Sequence, residues 1–287
     1  MSAIVFDDHC CALGEGPLWH PDRQSLFWFD IDNQVMFEKT DGGRRVEYHF
    51  DRTVSAAGLT NGDELIVASE HNLLAFNLAS GTQRVLCELE ADNPLTRSND
   101  GRADPFGGFW IGTMGFEAQA NLGAIYRYYK GELQQLFSGI TIPNAICFSP
   151  HRAAAFYTDS ATRVIWQVGL DDEGWPAGEP LPLIDLREED FAPDGAVCDR
   201  EGRLWLAQWM ASRVAVYSDR GEILETHPVP TSQATCPAFG GPDFSTLFVT
   251  TAGAHLPAEL QGTQPLAGFV FKIEGVGPGQ AEHRVIL

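Results

Sequence analysis

Gly108-Phe-Trp-Ile-Gly-Thr-Met114 sets a pattern that recurs along the chain: a turn, then a short apolar run with a bulky residue at its third place. Five more segments align with it: Ser25-Leu-Phe-Trp-Phe-Asp-Ile31, Glu64-Leu-Ile-Val-Ala-Ser-Glu70, Ala154-Ala-Phe-Tyr-Thr-Asp-Ser160, Arg203-Leu-Trp-Leu-Ala-Gln-Trp209 and Thr246-Leu-Phe-Val-Thr-Thr-Ala252. Their third places hold Phe27, Ile66, Trp110, Phe156, Trp205 and Phe248, and their starts are separated by 39, 44, 46, 49 and 43 residues. Pro21-Asp22, Asn61-Gly62, Gly107-Gly108 and Glu201-Gly202 supply turns ahead of four of them. A period of roughly 40–50 residues marks a propeller or solenoid.

Further strand candidates follow at matching offsets, such as Gln34 to Thr40 and Arg44 to Phe50, Ala124 to Lys130 and Glu132 to Phe137, and Arg213 to Ser218 and Glu222 to His227. With the strand ahead of each segment, every repeat supplies four strands, the content of a propeller blade. The expected architecture is therefore all-β, a six-bladed β-propeller of four-stranded antiparallel blades around a central channel, with residues 1–287 as a single domain. Helical periodicity is weak throughout, with helical turns expected only in short loops such as Arg187 to Asp190. The stretch Pro176 to Pro182 reads as a long connection within the fourth repeat. Ile4 to Phe6 and His283 to Leu287 compete to complete the sixth blade and close the ring.

Composition agrees with this reading and removes several function classes. The 287 residues include 29 Gly, 17 Pro and only 4 Met, a mixture suited to strands and tight turns. With 19 Lys+Arg against 39 Asp+Glu the formal charge is −20, which argues against a nucleic-acid partner or an anionic membrane surface. No run is long and apolar enough to span a bilayer, and the amino terminus lacks a secretory pattern, so a cytoplasmic protein is expected. The six cysteines form no CxxC pair and read as buried reduced thiols. The eight histidines are scattered without ligand spacing and read mostly as surface residues.

The repeat also points to a site. Counting back 11 or 12 residues from each third-place residue reaches Glu15, Ser55, Asn99, Asn144, Asp194 and Cys236. In a propeller the first strand of each blade runs beside the axis, so residues at one offset converge. The rest of these strands is expected to be apolar, as Leu13, Ile142, Ile146, Ala196 and Val197 suggest. Two acids and two amides in a narrow tunnel need a partner, because unpaired buried carboxylates are costly. One divalent metal ion satisfies them. Oxygen donors suit calcium, magnesium, manganese or iron(II), with zinc less favoured. Asp100-Gly101 reads as a turn that anchors its strand. Met114, Trp209 and His255 are placed at the pocket rim, and the loops Glu117 to Asn121 and Leu256 to Gln264 are expected to shape it. There is no GxSxG elbow, HExxH or phosphate loop to compete.

Several stretches together resemble the senescence-marker protein/gluconolactonase/regucalcin family: Leu13-Gly-Glu-Gly-Pro-Leu-Trp19, Arg97-Ser-Asn-Asp-Gly101 followed by Asp104-Pro and Phe109-Trp-Ile-Gly-Thr-Met114, Ile142-Pro-Asn144, Pro193-Asp-Gly195 with Leu204-Trp205, and Phe239-Gly-Gly241. They occur in the family's order and cover nearly the whole chain. The resemblance implies a six-bladed propeller lactonase that depends on a metal. It implies that Glu15, Asn144 and Asp194 bind the metal, that Arg97 and Asn99 contact a small-molecule sugar lactone, and that Asp194 is the catalytic acid/base. Two positions depart from the pattern. Ala145 stands where Gly commonly follows the Asn, adding a Cβ that limits positive φ, and Ser98 replaces a frequent bulky apolar residue. A broader esterase or organophosphate hydrolase on the same site, and a calcium-binding propeller without turnover, are the alternatives.

Overall fold

A computed structural model describes residues 2–151, 153–254 and 256–287. Its strands form six four-stranded antiparallel sheets arranged as a six-bladed β-propeller, one of them extended by a short fifth strand. Among the described residues there is no helix, and Arg187 to Asp190 forms a turn beside the Glu189 N–H to Leu186 carbonyl hydrogen bond (3.1 Å). The innermost strands are Gly14–His20, Val54–Thr60, Thr96–Ala103, Pro143–Phe148, Ala192–Cys198 and Ala234–Gly240, and each packs against the next around a closed ring. The six repeated segments form the second strands of the blades, and their third-place residues are all buried.

Burial of those bulky residues holds blade to blade. Trp110 meets Phe148 of the fourth blade edge-on at 5.4 Å, Trp205 meets Phe239 of the sixth at 5.1 Å, and Phe248 stacks on Trp19 of the first at 5.5 Å. One geometry, a second-strand ring against a ring on the neighbour's innermost strand, thus recurs around the ring. Fully burying each such side chain stabilises the fold by about 1.5–3 kcal/mol.

The ring is closed by the amino terminus. Ile4–Asp7 pairs antiparallel with Val270–Ile273 as the outermost strand of the sixth blade. Of the two competing ends, His283 to Leu287 does something else: Arg284 and Val285 pair in parallel with Leu59 and Thr60, the last residues of the second blade's innermost strand. The stretch Pro176 to Pro182 is not a connection but the first part of Pro176–Asp185, the outer strand of the fourth blade. Proline is tolerated there because an edge strand has no further neighbour to receive its missing N–H.

Three other expectations change. His20 and His227 are buried, His227 stacked on Trp205 at 4.9 Å, while only His49 and His151 of the described histidines are exposed. His255 lies outside the described residues. All six cysteines are free, with four buried, Cys87 half-buried and Cys10 exposed. The innermost strand of the third blade, Thr-Arg-Ser-Asn-Asp-Gly-Arg-Ala from Thr96, is largely polar yet almost wholly buried. Its polar groups are satisfied largely by the innermost strands of the neighbouring second and fourth blades, through Ser55, Pro143, Asn144 and Ile146, which a purely apolar reading of inner strands misses.

Candidate active site

The innermost strands share a local irregularity. Their antiparallel register breaks between Glu15 and Leu18, Val54 and Ala56, Ser98 and Gly101, Asn144 and Cys147, Pro193 and Ala196, and Ala234 and Pro237. A bulge of this kind re-aims a side chain that a regular strand would direct elsewhere. All six residues at the shared offset lie in or at the start of these breaks. Glu15, Asn99, Asn144 and Asp194 line one cavity of about 270 Å³ at the open end of the channel. Ser55 is used differently, donating to the Asn99 carbonyl at 2.6 Å and lying 2.8 Å from Ser98 Oγ. Cys236 is buried beside Gly195, where a Cβ would stand 2.4 Å from its Sγ, so the strand carrying Asp194 requires glycine there.

Backbone conformation fixes two of the acids and amides. Gly16 has φ +54°, and a Cβ there would lie 2.3 Å from the Ser55 carbonyl; its N–H donates to Glu15 Oε2 at 2.9 Å. Ala145, the matching residue after Asn144, adopts φ +56° although it carries a Cβ. That conformation costs an L-residue roughly 1–2 kcal/mol, and its methyl is wholly buried in the core shared by the fourth and fifth blades.

A continuous hydrogen-bond chain then crosses three blades. Arg97 Nη1 donates to the Ser98 carbonyl (2.8 Å) and to Asn99 Oδ1 (2.9 Å). Asn99 Nδ2 donates to the Pro143 carbonyl and to Asn144 Oδ1, both at 3.0 Å. Asn144 Nδ2 donates to Ser160 Oγ (2.9 Å), which in turn donates to the Pro193 carbonyl (2.6 Å). The amide oxygen of Asn144 accepts only one of these bonds and keeps a lone pair. Asp100 is not part of a turn: it lies within the strand, and its carboxylate accepts the Ile146 N–H at 2.8 Å.

The electrostatics of the site are dominated by buried acids. Burial pushes the Glu15 carboxyl up to about 8, reinforced by the charge of Asp100. Burial and the charges of Glu15 and Asp100 push Asp194 well above the usual carboxylate range, and burial raises Asp100 to about 6. Burial pushes Arg97 down, opposed by the acids Asp32 and Glu15. Among the described residues Glu15 and Asp194 form no ion pair, and Arg97 spends its Nη1 on Asn99 and Ser98. Two buried carboxylates and a free amide lone pair are hard oxygen donors, a set that fits a divalent cation of the calcium, magnesium or manganese kind. His9, Cys11 and Asp30 also converge, but Asp30 already accepts the N–H groups of Ala12 (2.9 Å) and Leu13 (3.2 Å) and the Asn33 amide (2.8 Å).

The cavity's walls are largely apolar: Leu13, Ile142, Pro193, and the rim residues Met114 and Trp209. Neither Glu117 to Asn121 nor 256–264 contributes to this lining. Ser160 was missed by the sequence reading, although it occupies the seventh place of its segment, as Met114 and Trp209 do. That shared place was the signal. The residue before it, Asp159, accepts the N–H groups of Thr141 (2.9 Å), Ile142 (3.0 Å) and Ala161 (3.1 Å), which locks the wall around Ser160.

Comparison with known proteins shows the family. A family model described as SMP-30/Gluconolactonase/LRE-like region matches residues 13–253. The chain is 32% identical to 6-deoxy-6-sulfogluconolactonase of Pseudomonas putida, over 94% of each chain. It is 33% identical to L-arabinolactonase of Azospirillum brasilense, over 98% of this chain and 95% of that one. The crystal structure of a calcium-binding protein, regucalcin, from Agrobacterium tumefaciens superposes with a TM-score of 0.97 at 36% identity, covering 100% of this chain and 98% of that one.

Proposed function

The chain belongs to the SMP-30/gluconolactonase/LRE-like family, and on that premise we propose that it hydrolyses a sugar-derived lactone to the open hydroxy acid with one bound divalent metal. The observation that carries this reading is the convergence of Glu15, Asn144 and Asp194 with Arg97 and Asn99 on one cavity, where, among the described residues, neither carboxylate forms an ion pair and only the charge of Arg97 bears on Glu15. The lactonase relatives support the reaction class, and the calcium-binding regucalcin supports a divalent ion.

Glu15, Asn144 and Asp194 would hold the metal. When bound, it supplies Lewis-acid polarisation of the lactone carbonyl. Asn99 keeps the Asn144 oxygen in place through its Nδ2 bond and is itself held by Arg97. The rest of the Arg97 fork is available to hydroxyl oxygens of the substrate, and its planarity favours one orientation. The apolar walls face the C–H side of the sugar ring and exclude bulk water. Asp194 takes the proton of the water whose oxygen bonds to the carbonyl carbon. It returns that proton to the ring oxygen as the ring C–O bond breaks, so the product is a hydroxy acid and Asp194 is regenerated.

The apolar walls also favour a second reading, hydrolysis of a less polar ester at the same site. Both are tested by stripping the protein with chelator, restoring single divalent metals, and following acid release from five- and six-carbon aldonolactones and from aryl esters. Metal-restored opening of an aldonolactone is expected, with Asp194→Asn losing about a hundredfold or more. Tight metal binding without any lactone opening faster than in buffer refutes the lactonase reading. Turnover of aryl esters alone moves the assignment to the second, and no turnover at all leaves a calcium-binding propeller.

A further inference from the structure

We propose that Glu282, in the carboxy-terminal segment, is a positioning residue for the cation site, acting through Arg102 from the closed end of the channel. The inference rests on the metal reading above and concerns residues on the opposite side of the ring from the cavity.

After the sixth blade the chain crosses the far mouth of the channel. The Arg200 N–H donates to the Pro278 carbonyl (2.9 Å), Gln280 Nε2 to the Cys198 carbonyl (3.2 Å), Arg284 Nη2 to Asp22 (2.7 Å) and the Ile286 N–H to the Gly107 carbonyl (2.8 Å). The segment therefore touches the fifth, third and first blades, and pairs with the second through Val285. From this floor Glu282 reaches the guanidinium of Arg102 and forms an ion pair with it. Both side chains are more than nine-tenths buried, and Arg102 Nε also donates to the Ile146 carbonyl (3.2 Å).

Arg102 stands two residues beyond Asp100, whose carboxylate feels its charge and accepts the neighbouring Ile146 N–H. The fixed positive charge thus bears on Asp100, a buried acid outside the cavity lining whose own charge is felt by both Glu15 and Asp194. With Glu282 present it is balanced. Without Glu282 it is left with Asp100 as its remaining acid, so the negative charge that Asp100 lends to the cation site is offset by Arg102 and a divalent ion is held more weakly. A void of only about 10 Å³ lies beside the pair, too little space for solvent ions to take over. Buried charges of this kind are felt over many ångströms because little water screens them.

The test exploits sign. Glu282→Gln and Arg102→Met break the same ion pair, so a purely structural role predicts that both weaken cation binding alike. The electrostatic role predicts opposite directions. Calcium(II) and manganese(II) are titrated calorimetrically into the metal-free full-length protein and each variant, with circular dichroism to establish folding. The expected result is affinity about tenfold weaker in Glu282→Gln, the range seen for outer groups around metal sites, and tighter in Arg102→Met. Equal weakening in both, or parental affinity in Glu282→Gln, overturns the inference while leaving the metal site standing. If Glu282→Gln does not fold, Arg102→Met decides alone: tighter binding supports the proposal, and equal or weaker binding overturns it. A parent protein that binds neither ion refutes the metal reading itself, and this inference with it.

Discussion

Metal-free protein should lose stability as pH rises, and Glu15→Gln should cancel much of that loss. Burial and the Asp100 charge lift the Glu15 carboxyl from 4.5 to about 8. Below 4.5 the group is protonated in both folded and unfolded chains and contributes nothing. Between 4.5 and 8 the unfolded chain ionises freely, whereas the folded chain must keep the proton or carry an uncompensated charge, so stability falls with rising pH. Above 8 both are ionised and the penalty stays constant. At pH 7 the gap corresponds to about 3 kcal/mol. Glutamine removes the ionisation while its amide oxygen can still accept the Gly16 N–H that Glu15 accepts at 2.9 Å. For a chain of this length the variant's unfolding midpoint in chelator should rise by about 5 °C at pH 7. It should also lose the stabilisation that a divalent cation gives the parent. The assay is thermal unfolding in chelator from pH 5 to 9, repeated with saturating cation. A parent midpoint that is flat across this range, or a variant midpoint no higher than the parent's, refutes the argument that the carboxyl is held up by burial beside other acids.

Trp209→Ala should raise KM for a sugar lactone about tenfold, a loss of about 1.4 kcal/mol, and leave calorimetric cation affinity unchanged, because Trp209 lines the cavity with an apolar ring and is not among the oxygen donors. An unchanged KM would remove it from the substrate surface. Arg127→Met should cost about 3–5 kcal/mol in urea unfolding, because it strands the fully buried Asp104 carboxylate that Arg127 Nε now meets at 2.6 Å. Its kcat/KM should stay at the parental value below the unfolding transition, and a loss of activity without loss of stability would contradict the separation of this pair from the site.

The sequence by itself determined the blade count and the gathering of the site. Strand periodicity and turn residues are local properties, so the segments beginning at Ser25, Glu64 and Thr246 start where the second strands start, and the one-offset rule delivered Glu15, Asn99, Asn144 and Asp194 to one cavity. A repeat converts sequence spacing into spatial convergence, which is why these residues could be found without contacts. The tertiary structure alone decided which end closes the sixth blade, because Ile4–Asp7 and His283 to Leu287 are both short apolar stretches and only their reach around the ring distinguishes them. It also decided that Ala145 takes a left-handed backbone in spite of its Cβ, since the surrounding bulge and packing impose it. The pairing of Arg102 with Glu282 across 180 residues has no local signature either. Buried charges choose partners by where the chain brings them, and that is a property of the closed ring.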